Sequence, residues 1–202
     1  MKFKDEEILK ARRAIEKEAE RKHSEDNINK ELEESIFDGV IHIYEEEVQF
    51  ERRRNEEYGI SMMMPAASFE VDEELKKLLY PMDNRPKYVY GNESVNITVS
   101  FNYTEHKISE EQLDMFLSYS EKLLRSAGPK VMHVKKQMCQ RDGYKMAVME
   151  FASAAVDTKV YNIVFYVSIE GKLLMGTIYF PLELKKRQIK IAKEMLDSFA
   201  IE

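Results

Sequence analysis

The sequence predicts an α+β fold in which a central antiparallel β-sheet is sandwiched by helices and preceded by an N-terminal helical extension. Three observations carry this expectation. Tyr144–Phe151, Val160–Val167 and Leu173–Phe180 are dense in β-branched and aromatic residues, and Asp142-Gly143 and Glu170-Gly171 mark tight turns before the first and the last, as in successive hairpins. The middle run places Tyr161, Ile163, Phe165 and Val167 on one side and Val160, Val164 and Tyr166 on the other, so it must be covered on both faces. Ser109-Glu-Glu-Gln112 is a capping box flanked by Ile108 and Leu113 at hydrophobic-staple positions, which fixes the start of a covering helix.

In chain order, Asp5 to His23 is rich in Glu, Lys, Arg and Ala, and Ile8, Ala11, Ile15 and Ala19 give it a narrow apolar helical stripe. After a break at Ser24–Asn27, Ile28, Leu32, Ile36 and Phe37 resume a helical pattern that Gly39 can end. Val40–Tyr44 is β-branched yet keeps helical spacing from Ile36 through Val40 to Tyr44; strand is the preferred reading. Residues 1–46 are assigned to the charged extension and 47–202 to one domain. Within the domain, Val48–Arg52 and Ile60–Met64 form a first hairpin ended by Pro65. A short helix over Asp72–Leu79 is expected to face Leu75, Leu78 and Leu79 inward. Lys87–Tyr90 leads into a strand with Val95, Ile97, Val99, Phe101 and Tyr103 against Asn96, Thr98, Ser100 and Asn102, and its wet face suggests a place near the sheet edge. The capped helix runs through Phe116, Leu117, Leu123 and Leu124 to Gly128-Pro129, and Val131–Cys139 precedes the three central strands. Leu184, Ile189, Ala192, Leu196 and Phe199 form the inner stripe of a terminal helix.

The composition narrows the function classes. Residues 1–57 hold 18 acidic and 12 basic side chains while the remainder balances, so the formal charge of −6 belongs to the N-terminal part. With no basic stripe, neither nucleic acid nor an anionic membrane is the expected partner; Arg52–Arg54 and Lys185–Arg187 read as solvated strand and helix surface. No apolar run approaches the length of a membrane span, the start lacks the apolar segment of a signal peptide, and a single cysteine, Cys139, suits a reducing compartment. The expected location is cytoplasmic. Asn92, Asn96 and Asn102 lie in glycosylation acceptor triplets but read as exposed polar positions.

Little in the chain points to chemistry. His23, His42, His106 and His133 are scattered, and with one cysteine no metal-ligand spacing arises. On a strand, His133 and Cys139 would be roughly 20 Å apart, too far for a nucleophile and its base. No nucleophile elbow, P-loop or dinucleotide fingerprint occurs, and Glu73-Glu74 and Glu110-Glu111 occupy first helical turns, where carboxylates favour the helix dipole. Met62–Met64 reads as core filling in a covered sheet rather than a binding patch. No catalytic residue, cofactor or metal is therefore expected, and the chain is expected not to be an enzyme.

Tyr58–Pro65, Val160–Tyr166, Gly171–Met175 and Asp197–Phe199, in this order of elements, resemble the PsbP-like superfamily over residues 47–202. That superfamily includes extrinsic photosystem II subunits, a Ran-binding nuclear transport factor and many small bacterial proteins, and the chain is similar to a small bacterial member. A tryptophan often found after the opening proline or in the terminal helix is absent here. The resemblance implies a non-catalytic protein-binding module: an adaptor, an assembly factor or a secretion-type chaperone. The alternative class is a small-ligand carrier or enzyme whose pocket is built from dispersed residues. The partner is expected to be another protein, bound through Ile8, Ala11, Ile15 and Ala19, whose stripe could equally join two copies of the chain or dock on its own domain.

Overall fold

Strands dominate the chain, because runs of Val, Ile, Phe and Tyr alternate with short polar turns over most of its length. The computed structural model describes residues 32–43, 46–80, 85–126, 131–154 and 158–202. In chain order the strands are β1 (Val40–Ile43), β2 (Glu46–Asn55), β3 (Ile60–Pro65), β4 (Phe69–Glu70), β5 (Tyr88–Asn92), β6 (Ile97–Lys107), β7 (Met132–Arg141), β8 (Tyr144–Ala154), β9 (Lys159–Ile169), β10 (Lys172–Pro181) and β11 (Ala200–Ile201). The α-helices among the described residues are α1 (Glu73–Leu79), α2 (Leu113–Ser126) and α3 (Lys185–Asp197).

The strands form two antiparallel sheets among the described residues: one of seven strands in the order β4-β5-β6-β10-β9-β8-β7, and one of four in the order β1-β2-β3-β11. Glu170 and Gly171, both at positive φ (51° and 74°), make the two-residue turn that lets β9 and β10 pair from Ile169 opposite Lys172. One face of the large sheet, with Val99, Phe101, Tyr161, Ile163, Phe165 and Ile178, packs in a single core with Ile60, Met62 and Met64 of the small sheet and Ile191, Met195 and Phe199 of and after α3. Its other face, with Ala147, Met149, Val164 and Tyr166, packs on Leu113 and Leu117 of α2. As expected, β9 is dry on both sides, and Met62 and Met64 fill core.

The end of α3 is stitched to the small sheet by directional bonds. Ser198 Oγ accepts from the Met63 N–H at 2.8 Å, and Arg52 Nη1 donates to Ser198 O at 3.0 Å and Ser61 Oγ at 2.8 Å. The buried Tyr144 hydroxyl donates to Phe199 O at 2.9 Å.

Several expectations are corrected. The inner layer is mixed, a second sheet plus α3, because the first hairpin does not extend the large sheet but pairs with β1 and β11. β6 is interior, hydrogen-bonded to β5 and β10, and its polar face is largely covered, with Ser100 buried and Thr98 and Asn102 half-buried. Within α1 the orientation is reversed: Leu75, Leu78 and Leu79 are exposed, and Lys76 is buried, its ammonium donating to Lys87 O at 2.5 Å and pairing with Glu73 at 3.0 Å. Residues 36–43, read as part of the extension, belong to the folded unit, since Ile36, Ile41 and Ile43 are buried in the main core. The helical pattern around Ile36 is only a 3₁₀ turn, Ile36–Asp38, ended by Gly39 at φ 85°. Asn92 is buried, its side chain accepting from the Val95 N–H at 3.0 Å in the β5–β6 turn. Ile8, Ala11, Ile15, Ala19, Tyr44 and Gly128-Pro129 lie outside the described residues.

Candidate functional site

The capping box sets the position of α2. Ser109 N–H donates to Gln112 Oε1 at 2.9 Å, Glu110–Gln112 form a 3₁₀ lead-in, and Ile108 and Leu113 are buried together beneath it. Farther along, Glu121 bonds Lys136 at 2.7 Å and Arg125 at 2.9 Å, and those two cations hold its carboxyl below the usual range. The helix is thus pinned to β7 along one side.

Its opposite side is apolar and faces water. Met115, Tyr119 and Leu123, spaced four apart, are 68%, 57% and 50% exposed. A solvent-facing helix side is ordinarily charged, so an apolar row there, about 12 Å long at 1.5 Å per residue, is the anomaly of this surface. Beside the row, Phe116 stands on edge against Tyr166 (ring centroids 5.1 Å apart) and packs on His106 at the end of β6 (5.6 Å).

Three clefts join end to end along this side. The first, about 380 Å³, lies among His106, Ile108, Met115, Phe116 and Tyr119. It shares Lys107, Ile108 and Gln112 with a second of about 540 Å³ around the capping box, which shares Glu110 and Ser168 with a third of about 480 Å³. This third cleft is acidic and aromatic, bordered by Glu56, Glu57, Glu170, Tyr58 and Tyr103. Its Tyr103 hydroxyl and Glu57 carboxylate are engaged. Tyr103 Oη donates to Ile169 O at 2.8 Å, and Glu57 accepts from Lys87 and from Tyr88 Oη at 2.5 Å, hydrogen bonds that keep its carboxyl below the ordinary range. The groove is open along its length, apolar at the α2 end and anionic at the other.

A smaller apolar patch surrounds α1, where Phe69, Leu75, Leu78 and Leu79 are exposed. Among the described residues, no group of three His, Cys, Asp or Glu side chains converges as a metal site would require. His133 is exposed at φ 56°, and Cys139 is half-buried against the main core. No helix among the described residues is long and apolar enough to cross a membrane.

The stripe of Ile8, Ala11, Ile15 and Ala19 contributes nothing to the described groove, and the row on α2 was not singled out in the sequence. A signal existed: Leu113, Leu117 and Leu124 already fill one face, so Met115, Tyr119 and Leu123 widen the apolar arc beyond what one sheet can cover.

No known protein family matches the chain, and no curated protein matches it. Among solved structures, the solution structure of cyanobacterial PsbP (CyanoP) from Synechocystis sp. PCC 6803 superposes with a TM-score of 0.55 at 12% identity, covering 76% of this chain and 92% of that one. A crystal structure from Pseudomonas aeruginosa, of a protein of unknown function described as a putative regulator, gives a TM-score of 0.39 at 11% identity over 74% of this chain and 94% of that one. The fold of this chain is PsbP-like.

Proposed function

We propose that the chain is a non-catalytic protein-binding module of the cytoplasm, an adaptor, assembly factor or secretion-type chaperone, and that its partner seats on the open groove beside α2. The observation that carries this reading is the water-exposed row of Met115, Tyr119 and Leu123 flanking an apolar cleft. A contiguous apolar surface of this kind is costly to leave bare and is the usual mark of an interaction site. A carrier or enzyme would be served by an enclosed cavity with free converging polar groups; the acidic cleft is open, and its Tyr103 and Glu57 are already committed to bonds within the protein. Ile8, Ala11, Ile15 and Ala19 are proposed, on their spacing alone, as a further contact to the partner or to a second copy.

The test replaces Met115, Tyr119 and Leu123 together by Ser. Urea unfolding should be nearly unchanged, because the side chains lie outside the core, while a complex resolved in native cell extract by size-exclusion chromatography should disappear. If the triple variant elutes in the same complexes as the unaltered protein, the reading is wrong.

A further inference from the structure

On the opposite face of the large sheet, a cluster of lysines surrounds a single buried acid. Glu150 of β8 is buried and fixed, accepting from Tyr161 Oη at 2.6 Å and facing Lys193 of α3 at 3.6 Å. Lys135 of β7 is its direct cross-strand neighbour and therefore projects on the same face. Lys159 lies two residues before Tyr161 on β9, hence also on that face, and Lys185 sits 4.1 Å above the Tyr161 ring. Lys186 and Lys193 share one side of α3, seven residues apart.

Among the described residues, the exposed Lys135, Lys159 and Lys186 have no carboxylate partner. Among the described residues the nearby acids are few or engaged: Glu150 is buried, Glu194 accepts from the Ile36 N–H at 2.9 Å, Asp197 is bound to Arg141 at 2.6 Å, and Glu183 is exposed just before α3. The first turn of α3 puts Lys185 and Lys186 beside the buried Arg187, against a single acid, Glu183, in the 3₁₀ lead-in, the reverse of what the helix dipole favours. Like charges have been gathered where they repel one another and the helix end, on a chain whose net charge is −6. A local arrangement that opposes its own stability is expected at sites of function.

We propose that this face of α3, β7 and β9 is a second docking surface, and that it takes an acidic, Asp- or Glu-rich segment of another protein. The chemistry separates this from other anions. Nucleic-acid surfaces pair their cations with exposed aromatic platforms, and membrane-binding surfaces with exposed apolar wedges. No exposed large apolar side chain belongs to α3, β8 or β9; Met138 of β7 is exposed but, opposite Ala147, lies on the other face, and Tyr161 is buried. Apart from Glu183 at its margin, the surface offers lysines, which suits carboxylates carried on a flexible segment. Its evidence is independent of the apolar groove, which lies across the sheet.

The experiment uses the full chain and a fluorescein-labelled peptide of alternating Glu and Ser, followed by fluorescence anisotropy. Saturable binding at low ionic strength should weaken steadily as salt is raised from about 50 to 300 mM. Lys135→Glu combined with Lys159→Glu and Lys186→Glu should weaken it about tenfold or more, with an unchanged thermal melt. The control, Lys77→Glu with Lys122→Glu and Arg125→Glu, makes the same charge change on exposed positions of α1 and α2, across the sheet from this face, and should retain binding within about twofold. Absence of peptide binding, equal loss in both variants, or retention in the first variant overturns the proposal. Tighter binding of a single-stranded oligonucleotide or of phosphatidylserine vesicles, abolished by the same three substitutions, overturns the assignment of a protein partner.

Discussion

Gly176 of β10 lies directly opposite Phe165 of β9, and a methyl group built at Gly176 would come within 2.0 Å of the ring's Cζ. The missing side chain is what allows the Phe165 ring to lie across the sheet and meet Phe101 and Phe199 edge-on, with centroids 6.3 and 5.1 Å away. Gly176→Ala should therefore destabilise the domain by about 1–3 kcal/mol through overpacking. Phe165→Ala should cost about 3–5 kcal/mol. In urea unfolding the double variant should lose less than the sum, because the alanine methyl then enters space the ring has vacated. Strict additivity would refute the coupling.

The N-terminal boundary is testable by truncation. Deleting residues 1–31 removes Ile8, Ala11, Ile15 and Ala19 but none of the described core, and should leave the unfolding free energy from urea titration within about 0.5 kcal/mol of that of the full chain. Deleting residues 1–38 also removes Ile36, which is fully buried and whose N–H donates to Glu194 at 2.9 Å. That loss should cost about 2–5 kcal/mol. Equal midpoints for the two truncations would show that Ile36 is dispensable.

Stability should fall above pH 10. Burial and then the hydrogen bond to Glu150 push the Tyr161 hydroxyl well above its ordinary value, and burial does the same to Tyr80 and Tyr166. Below about pH 10 these groups keep their protons in both folded and unfolded chains, so their contribution is constant. As pH rises further, the unfolded tyrosines ionise first, and stability drops by up to about 1.4 kcal/mol per pH unit for each. Tyr161→Phe should make that decline shallower while costing about 1 kcal/mol at neutral pH. An unchanged slope in chemical denaturation between pH 10 and 11, values set by the ordinary tyrosine range, would count against it.

Lys76 acts as a peg for α1. Its removal as Lys76→Ala leaves Lys87 O without its donor and should cost about 1–3 kcal/mol. A seven-residue helix has little stability of its own, so the amide hydrogens of Leu75–Leu79 should exchange much faster in this variant while those of β9 are unaffected. Uniform acceleration across both would place Lys76 in the global core instead.

Much of this fold is legible in local patterns. The Glu170-Gly171 turn, the Ser109–Gln112 box and the two apolar faces of β9 each act over a few residues, and each is found as read. What the sequence hides is non-local. β11 joins the first hairpin across more than a hundred residues, and nothing in Val48–Arg52 or Ile60–Met64 distinguishes that sheet from the larger one. α1 misled for another reason: a long lysine stem can be buried while its ammonium finds a carbonyl, which hydropathy ranks below three leucines. The groove beside α2 combines both difficulties, since Met115, Tyr119 and Leu123 look like core until the width of the sheet beneath them is known.

The most direct test of the binding role is site-specific photocrosslinking in the native cell. p-Benzoylphenylalanine placed at Tyr119 or Leu123, both exposed on α2, should give a discrete higher-mass adduct containing a second polypeptide, and the same probe at the exposed Glu93 should not. Adducts of equal yield at Tyr119 and Glu93, or none at Tyr119 and Leu123, would contradict the assignment of this groove as a protein-binding site.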